Sequence, residues 1–164
     1  MNEFESIGKE MLSLIEEWEP KLLALGNDVI TERRNSQNRT IKQITGHMVD
    51  SASNNTHRII HLQYQKSPLI FPCYATHGNN DRWIAIQNYR QEDWNELVQL
   101  WKCTNTHIVH VIRNINPDKL DNVWISGLNE EISLEEMVVD FPRHFKLHLN
   151  EIDELINLPL EKEL

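Results

Sequence analysis

The chain has 164 residues, 40% of them apolar, which matches one ordinary domain with material for a single core. Asp and Glu number 25 against 16 Lys and Arg, a net charge of −9 that argues against a nucleic-acid backbone or an anionic membrane as the main partner. No apolar run reaches membrane-spanning length, the acidic first twenty residues lack a signal peptide's basic start and apolar run, and two cysteines, Cys73 and Cys103, are too few for a disulfide framework, so a cytoplasmic chain is expected.

Five glycines leave little material for hairpins and favour helices. The first predicted helix covers residues 2–26, with Phe4, Ile7, Met11, Leu14, Ile15 and Trp18 at helical spacing. Pro20 is expected to kink or end it locally, and Gly26-Asn27 to stop it. A polar loop follows at 32–39. The second helix opens on a capping box, Thr40-Ile41-Lys42-Gln43, and carries a stripe of Ile41, Ile44, Met48, Ala52, Asn55, Ile59 and Leu62 before Lys66-Ser67-Pro68. Residues 68–88, with Pro68, Pro72, Gly78 and an Asn-Asn-Asp cluster, read as a long irregular connection. Such a length is functional, or it crosses a bundle between parallel helices.

The third helix spans about 91–116, with Trp94, Leu97, Val98, Trp101, Ile108, Val111, Ile112 and Ile115 on one side and Pro117 closing it. Val123-Trp124-Ile125 and Glu131-Ile132 flank a Ser-Gly-Leu-Asn turn and suggest a short hairpin. The fourth helix opens on a second capping box, Ser133-Leu134-Glu135-Glu136, and runs to Asn157 with Pro142 inside it, a predicted kink. The expected fold is all-α: a single domain, 1–164, of four long helices in one bundle with a long crossover between the second and third. The acidic end Glu161-Lys162-Glu163 reads as a solvated tail.

Eight histidines are the unusual feature of the composition. Three pairs share a helix face: His57 and His61, His107 and His110, His144 and His148. Any pair can offer two imidazoles to one metal, so spacing alone does not choose. The apolar rows do. His148 lies on the row Leu134, Phe141, His148, Leu155, which points into the core, and His144 stands one turn before it. His57 and His61 sit among Asn54, Arg58, Tyr64 and Gln65, a polar side; His107 and His110 are intermediate. His47 follows Ile44 by one turn at a core edge and completes a set of three with His144 and His148. Imidazoles facing a bundle interior need a partner, since a buried polar group without one costs about 1–3 kcal/mol. A metal is one such partner; a hydrogen-bonded core histidine is the other reading. Three protein ligands with an open position is the catalytic rather than the structural arrangement. Imidazole suits zinc, nickel, copper and iron, and spacing does not select among them.

Gly46-His47-Met48-Val49-Asp50 and the run from Asp140 through His144 and His148 to Ile152 resemble the DinB/YfiT-like family of metalloenzymes. So does the middle section, with Asp81-Arg82-Trp83-Ile84, Tyr89, Trp94, Leu97 and Trp101. The resemblance covers roughly residues 41–156 and implies a bundle of up-down-down-up type. It further implies a divalent metal on His47, His144 and His148, ranked zinc or nickel ahead of manganese or iron, with water at the open positions. It also implies a homodimer acting on a small-molecule substrate, as a thiol-dependent S-transferase with a low-molecular-weight thiol or as a hydrolase. The alternative is a non-catalytic dimeric metal-binding or stress-response bundle.

Asp50, one turn beyond His47, is placed either to orient an imidazole through its free nitrogen or to be a solvated helix acid. Glu151, one turn beyond His148, reads as a solvated acid. Cys73 and Cys103 read as ordinary cysteines, and Tyr74 and Trp83 as weak candidates to line a pocket. Metal binding is expected to weaken as pH falls through about 6.5, where an unperturbed imidazole protonates.

Overall fold

Both predicted capping boxes form in a computed structural model of the chain, which describes residues 3–158; the acidic tail at 161–163 lies outside them. Helix α1 spans Glu3–Leu23 and a short α2 spans Asn27–Glu32. Helix α3 spans Ile41–Tyr64, α4 Asn79–Gln87, α5 Trp94–Arg113 and α6 Leu134–Ile156. In α3 the Thr40 hydroxyl accepts from the Gln43 backbone while the Gln43 side chain accepts from the Thr40 N–H. Ser133 and Glu136 repeat the exchange at α6. Each such cap is worth about 1 kcal/mol and fixes where its helix begins. Since His47 is in the second turn of α3, the Thr40 cap sets its position on the bundle.

Cross-helix contacts give the direction of each long helix. Trp94 Nε1, at the start of α5, donates to the Leu22 carbonyl at the end of α1, and Arg113 at its other end reaches Glu5, so α1 and α5 are antiparallel. The Lys42 ammonium at the start of α3 donates to the carbonyls of Arg90 and Glu92 just before α5. At the far ends, Gln63 Oε1 accepts from the Asn116 N–H, so α3 and α5 are parallel. Ser51 meets His144 and Arg58 meets Met137, so α3 and α6 are antiparallel. The long helices therefore run up, down, down, up. Parallel α3 and α5 oblige the chain to travel the length of the bundle between them, which is why the crossover is long.

That crossover is more regular than the sequence suggests. Strand β1, Leu69–Ile70, pairs in parallel with β2, Val123–Ile125, which pairs antiparallel with β3, Glu131–Ser133. The predicted hairpin is thus present and gains a third strand. Gly78 and the Asn-Asn-Asp cluster are the start of α4: Gly78 adopts φ +72°, and Asn88 closes the helix at φ +53°. Both are left-handed positions, which Gly takes freely and Asn tolerates. Neither proline ends its helix. Helix α1 continues past Pro20 to Leu23, and α6 continues past Pro142 to Ile156. Each proline removes one backbone donor, and the packing of two strongly apolar faces outweighs that loss.

The core follows the predicted stripes. Met11, Ile15 and Leu22 of α1, Ile41, Ile44 and Ile59 of α3, Leu97, Trp101 and Ile112 of α5, and Leu134, Leu149 and Ile152 of α6 are all buried. Trp101 stacks on Phe145 with ring centroids 5.8 Å apart. Among the described residues no helix is long and apolar enough to cross a membrane.

Candidate metal centre

His47 on α3 and His144 and His148 on α6 converge, with one ring nitrogen from each within 4.8 Å of the others. Among the described residues this is the one group of three or more His, Cys, Asp or Glu side chains so placed. His47 and His148 are buried and His144 is half-buried at the wall of a cleft. The antiparallel packing of α3 on α6 produces this meeting. The second turn of α3 lies opposite the middle of α6, where the i, i+4 spacing stacks two imidazoles on one face.

Each ring is held from behind through Nδ1. The Tyr74 hydroxyl bonds Nδ1 of His47, Ser51 Oγ stands 3.5 Å from Nδ1 of His144, and Glu151 Oε2 stands 2.9 Å from Nδ1 of His148. The Tyr74 hydroxyl also lies 3.5 Å from the His47 carbonyl; in the tautomer with Nδ1–H donating to Tyr74, Nε2 of His47 carries the lone pair. The Nε2 atoms of His144 and His148 face one another at 3.1 Å. A tetrahedral zinc held at about 2.0–2.1 Å sets neighbouring ligand nitrogens about 3.3 Å apart. The spacing and the outward-bonded Nδ1 atoms therefore fit a divalent ion on three Nε2 atoms.

Burial lowers the basicity of two of these rings. Desolvation, with the neighbouring His148 second, takes His47 down to about 2 and His144 to about 4. Both are neutral at pH 7, the form a metal requires. A lowered pKa means weaker proton competition for a metal at these two rings. The sequence-based expectation of release near 6.5 shifts to more acid pH for them.

The carboxylate beside the site is Glu151, not Asp50. Glu151, read from sequence as solvated, bonds His148, and that bond holds its carboxyl below the usual carboxylate range. Asp50 is buried, and its Oδ1 accepts from the Tyr89 hydroxyl at 2.6 Å and from Gln87 Nε2 at 2.7 Å, whereas it bonds no imidazole. Burial pushes Asp50 above the usual range, against the Tyr89 and Gln87 bonds. Its Oδ2 is buried with no partner. Asp50 therefore fastens the crossover onto α3. Asp50→Asn keeps the acceptor and removes an uncompensated charge, so thermal unfolding should show equal or higher stability. Asp50→Ala removes the buried acceptor shared by Tyr89 and Gln87, leaving the Tyr89 hydroxyl only Gln87 Oε1, and should lose about 1–3 kcal/mol. Equal losses in the two variants would contradict this role.

The remaining residues sort cleanly. His57, His107 and His110 are exposed, and half-buried His61 is engaged with Tyr64 and Gln65. Tyr74 is buried behind His47, while Trp83 is largely exposed and packs edge-on against Tyr74. Cys73 hydrogen-bonds Thr76, and Cys103 is exposed; neither joins the histidines. A cleft of about 700 Å³ opens beside His47 and His144, with Arg58, Trp124 and Phe141 among its walls. Ser51 and Arg58 went unassigned from sequence, and Tyr74 was read only as a weak candidate to line a pocket. Ser51, four residues after His47, shared its face and was the readable signal.

The architecture matches two solved structures over most of this chain. One is YfiT from Bacillus subtilis, described as a probable metal-dependent hydrolase with an unusual four-helix bundle topology. It aligns with a TM-score of 0.81 over 94% of this chain and 86% of its own, at 15% identity. The fold is DinB/YfiT-like. The second DinB/YfiT-like neighbour is a mycothiol-dependent maleylpyruvate isomerase, with a TM-score of 0.73 over 91% of this chain, at 12% identity; this chain spans 60% of its length. No protein-family model matches the sequence, and no curated protein does.

Proposed function

We propose that this chain is a divalent-metal-dependent enzyme of the DinB/YfiT-like type that acts on a small molecule, as a thiol-dependent S-transferase or as a hydrolase. The observation that carries the reading is the convergence of three imidazoles whose Nδ1 atoms are each held by an oxygen, from Tyr74, Ser51 and Glu151. Bound there, a divalent ion acts as a Lewis acid and lowers the pKa of a water or of a thiol, which serves hydrolysis or thiol transfer respectively. Zinc or nickel suits an all-imidazole set, with manganese or iron after them. The protein's own work is to keep the rings neutral by burial, to fix their direction through Nδ1, and to present His144 to the cleft. The two structural neighbours support a metal and a thiol as the chemistry to look for. With neither cysteine in the cluster, the thiol in this reading is a cosubstrate of low molecular weight. The reading includes a cytoplasmic homodimer.

The test is turnover by metal-loaded protein against a panel of small thiols with model electrophiles, beside a panel of esters and amides. Activity that disappears with a chelator and returns with zinc or nickel supports the proposal. Metal bound at about one ion per chain with no turnover across both panels supports instead a non-catalytic metal-binding bundle.

A further inference from the structure

Arg58 is the second unusual group in the cleft. It projects from α3 three turns beyond His47, is only 6% exposed, and lines the same cavity as His47 and His144. Burying a guanidinium ordinarily requires a carboxylate partner, because an unpaired buried charge is costly. Arg58 has none among the described residues. Its Nη1 donates to Asn55 Oδ1 at 2.8 Å and approaches Met137 Sδ at 3.7 Å; its Nε is buried without any acceptor. Instead the guanidinium lies over the Trp124 ring, 3.8 Å from the centroid, with Phe71 at 5.4 Å. Aromatic faces stabilise a cation, but they accept none of its N–H bonds. Desolvation lowers its pKa only to about 10, so it is charged at neutral pH.

We propose that Arg58 is the anion-recognising residue of this cleft and takes the carboxylate of a monocarboxylic substrate or cosubstrate. A planar carboxylate matches the fork of donors that the protein leaves unengaged. The other walls set the rest of the ligand. Trp124, Phe141, Ile132 and Met137 offer apolar surface for its body. The acids on the cleft limit its charge. Glu136 is engaged with Ser133 and Asp140 with Arg143, but Glu130 and Glu131 on the hairpin are exposed and have no cation partner among the described residues. They repel a second negative charge, so a monoanion is favoured over a dianion. The inference rests on the cleft being the substrate site of the proposed enzyme, but not on a metal being bound.

The probe is benzoate, with neutral benzamide of the same shape as control, titrated by calorimetry into chelator-treated and zinc-loaded protein. Benzoate should bind the chelator-treated protein about tenfold or more tighter than benzamide, the value of a charge-assisted hydrogen bond. Arg58→Gln should abolish that preference and leave benzamide unchanged. Arg58→Lys, which keeps the charge and guards against a folding defect, should retain part of it. The Nε–H resonance of Arg58, assigned by its loss in Arg58→Lys, should shift with benzoate and not with benzamide. Equal binding of the two probes in the wild type overturns the proposal, as does a preference that survives Arg58→Gln. Benzoate binding that needs zinc and fails in His144→Ala places the carboxylate on the metal and also overturns it, while leaving the metal reading intact. Benzoate preference without any zinc binding fails the metal reading alone.

Discussion

His144→Ala should abolish tight metal binding, whereas the double substitution His57→Ala with His61→Ala should leave it at about one ion per chain. The two changes remove similar side chains from helices and differ in what those side chains face. His144 brings its Nε2 to 3.1 Å from that of His148, while His57 is exposed and His61 is tied to Tyr64 and Gln65. Because His144 is half-buried at a cleft, truncating it opens space already continuous with solvent, and helical circular dichroism should be retained. Removing an outer partner of a metal ligand usually lowers affinity roughly 10–100-fold. Glu151→Ala should fall in that range, and His144→Ala should exceed it. Competition against a chelator of known affinity, with elemental analysis of the dialysed protein, gives both numbers. Acidification adds an independent check. With His47 near 2 and His144 near 4, lowering the pH from 7 to 5 adds little proton competition at either ring. Retention by His144→Ala with loss in the His57 and His61 double variant would move the centre to the other face of α3.

The reason these histidines were legible in the sequence is that their helices carry periodic apolar rows. His148 replaces an apolar residue on the row of Leu134, Phe141 and Leu155, and all three of those residues are buried. His57 and His107 interrupt no such row, and both face solvent. Helix starts were equally legible, because Thr40 with Gln43 and Ser133 with Glu136 state a local hydrogen-bond exchange that needs no tertiary partner. What surrounds the histidines was not legible. Tyr74 reaches His47 from a segment 27 residues away, and Arg58 lies over Trp124 of a strand beyond α5. Such pairings depend on the path of the chain between the helices; the crossover is present as expected, but it is more regular than the sequence suggests. Its Gly and Asn residues are punctuation for α4, with left-handed backbone at Gly78 and Asn88, rather than signs of irregular chain. Asp50 shows the same limit from the other side. Its spacing from His47 put it near the site, but the Gln87 amide and Tyr89 hydroxyl that claim it come from the last residue of α4 and from just past its end. Local spacing places a residue on a face; the partner on that face is a tertiary fact.

Gly46→Ala should destabilise the protein, although alanine is the better helix former. Gly46 lies inside α3, directly before His47, and a Cβ built there would stand 2.2 Å from Cδ2, 2.4 Å from Cγ and 2.5 Å from Cε2 of the Tyr89 ring. Those contacts are with a ring that has no freedom to retreat. Tyr89 is 2% exposed, and its hydroxyl is bound to Asp50 and Gln87. Two effects oppose each other. Replacing an interior helical glycine with alanine stabilises by about 1 kcal/mol. Overpacking a core costs about 1–3 kcal/mol, and pulling the Tyr89 hydroxyl from buried Asp50 costs about 1–3 kcal/mol more. The steric side wins by about 1–5 kcal/mol, which for a chain of this size lowers the melting temperature by roughly 2–20 °C. Metal affinity should fall with it, since a displaced Tyr89 shifts the first turns of α3 and with them His47. The cause is separable from a general helix defect. Tyr89→Ala alone leaves a cavity, and Gly46→Ala added to it places a methyl where the ring was. The second substitution should then be neutral or stabilising, and the coupling between the two sites should reach the 0.5–3 kcal/mol expected of residues in direct contact. Additive losses in that cycle would mean that the ring does not rest on the α3 backbone at Gly46.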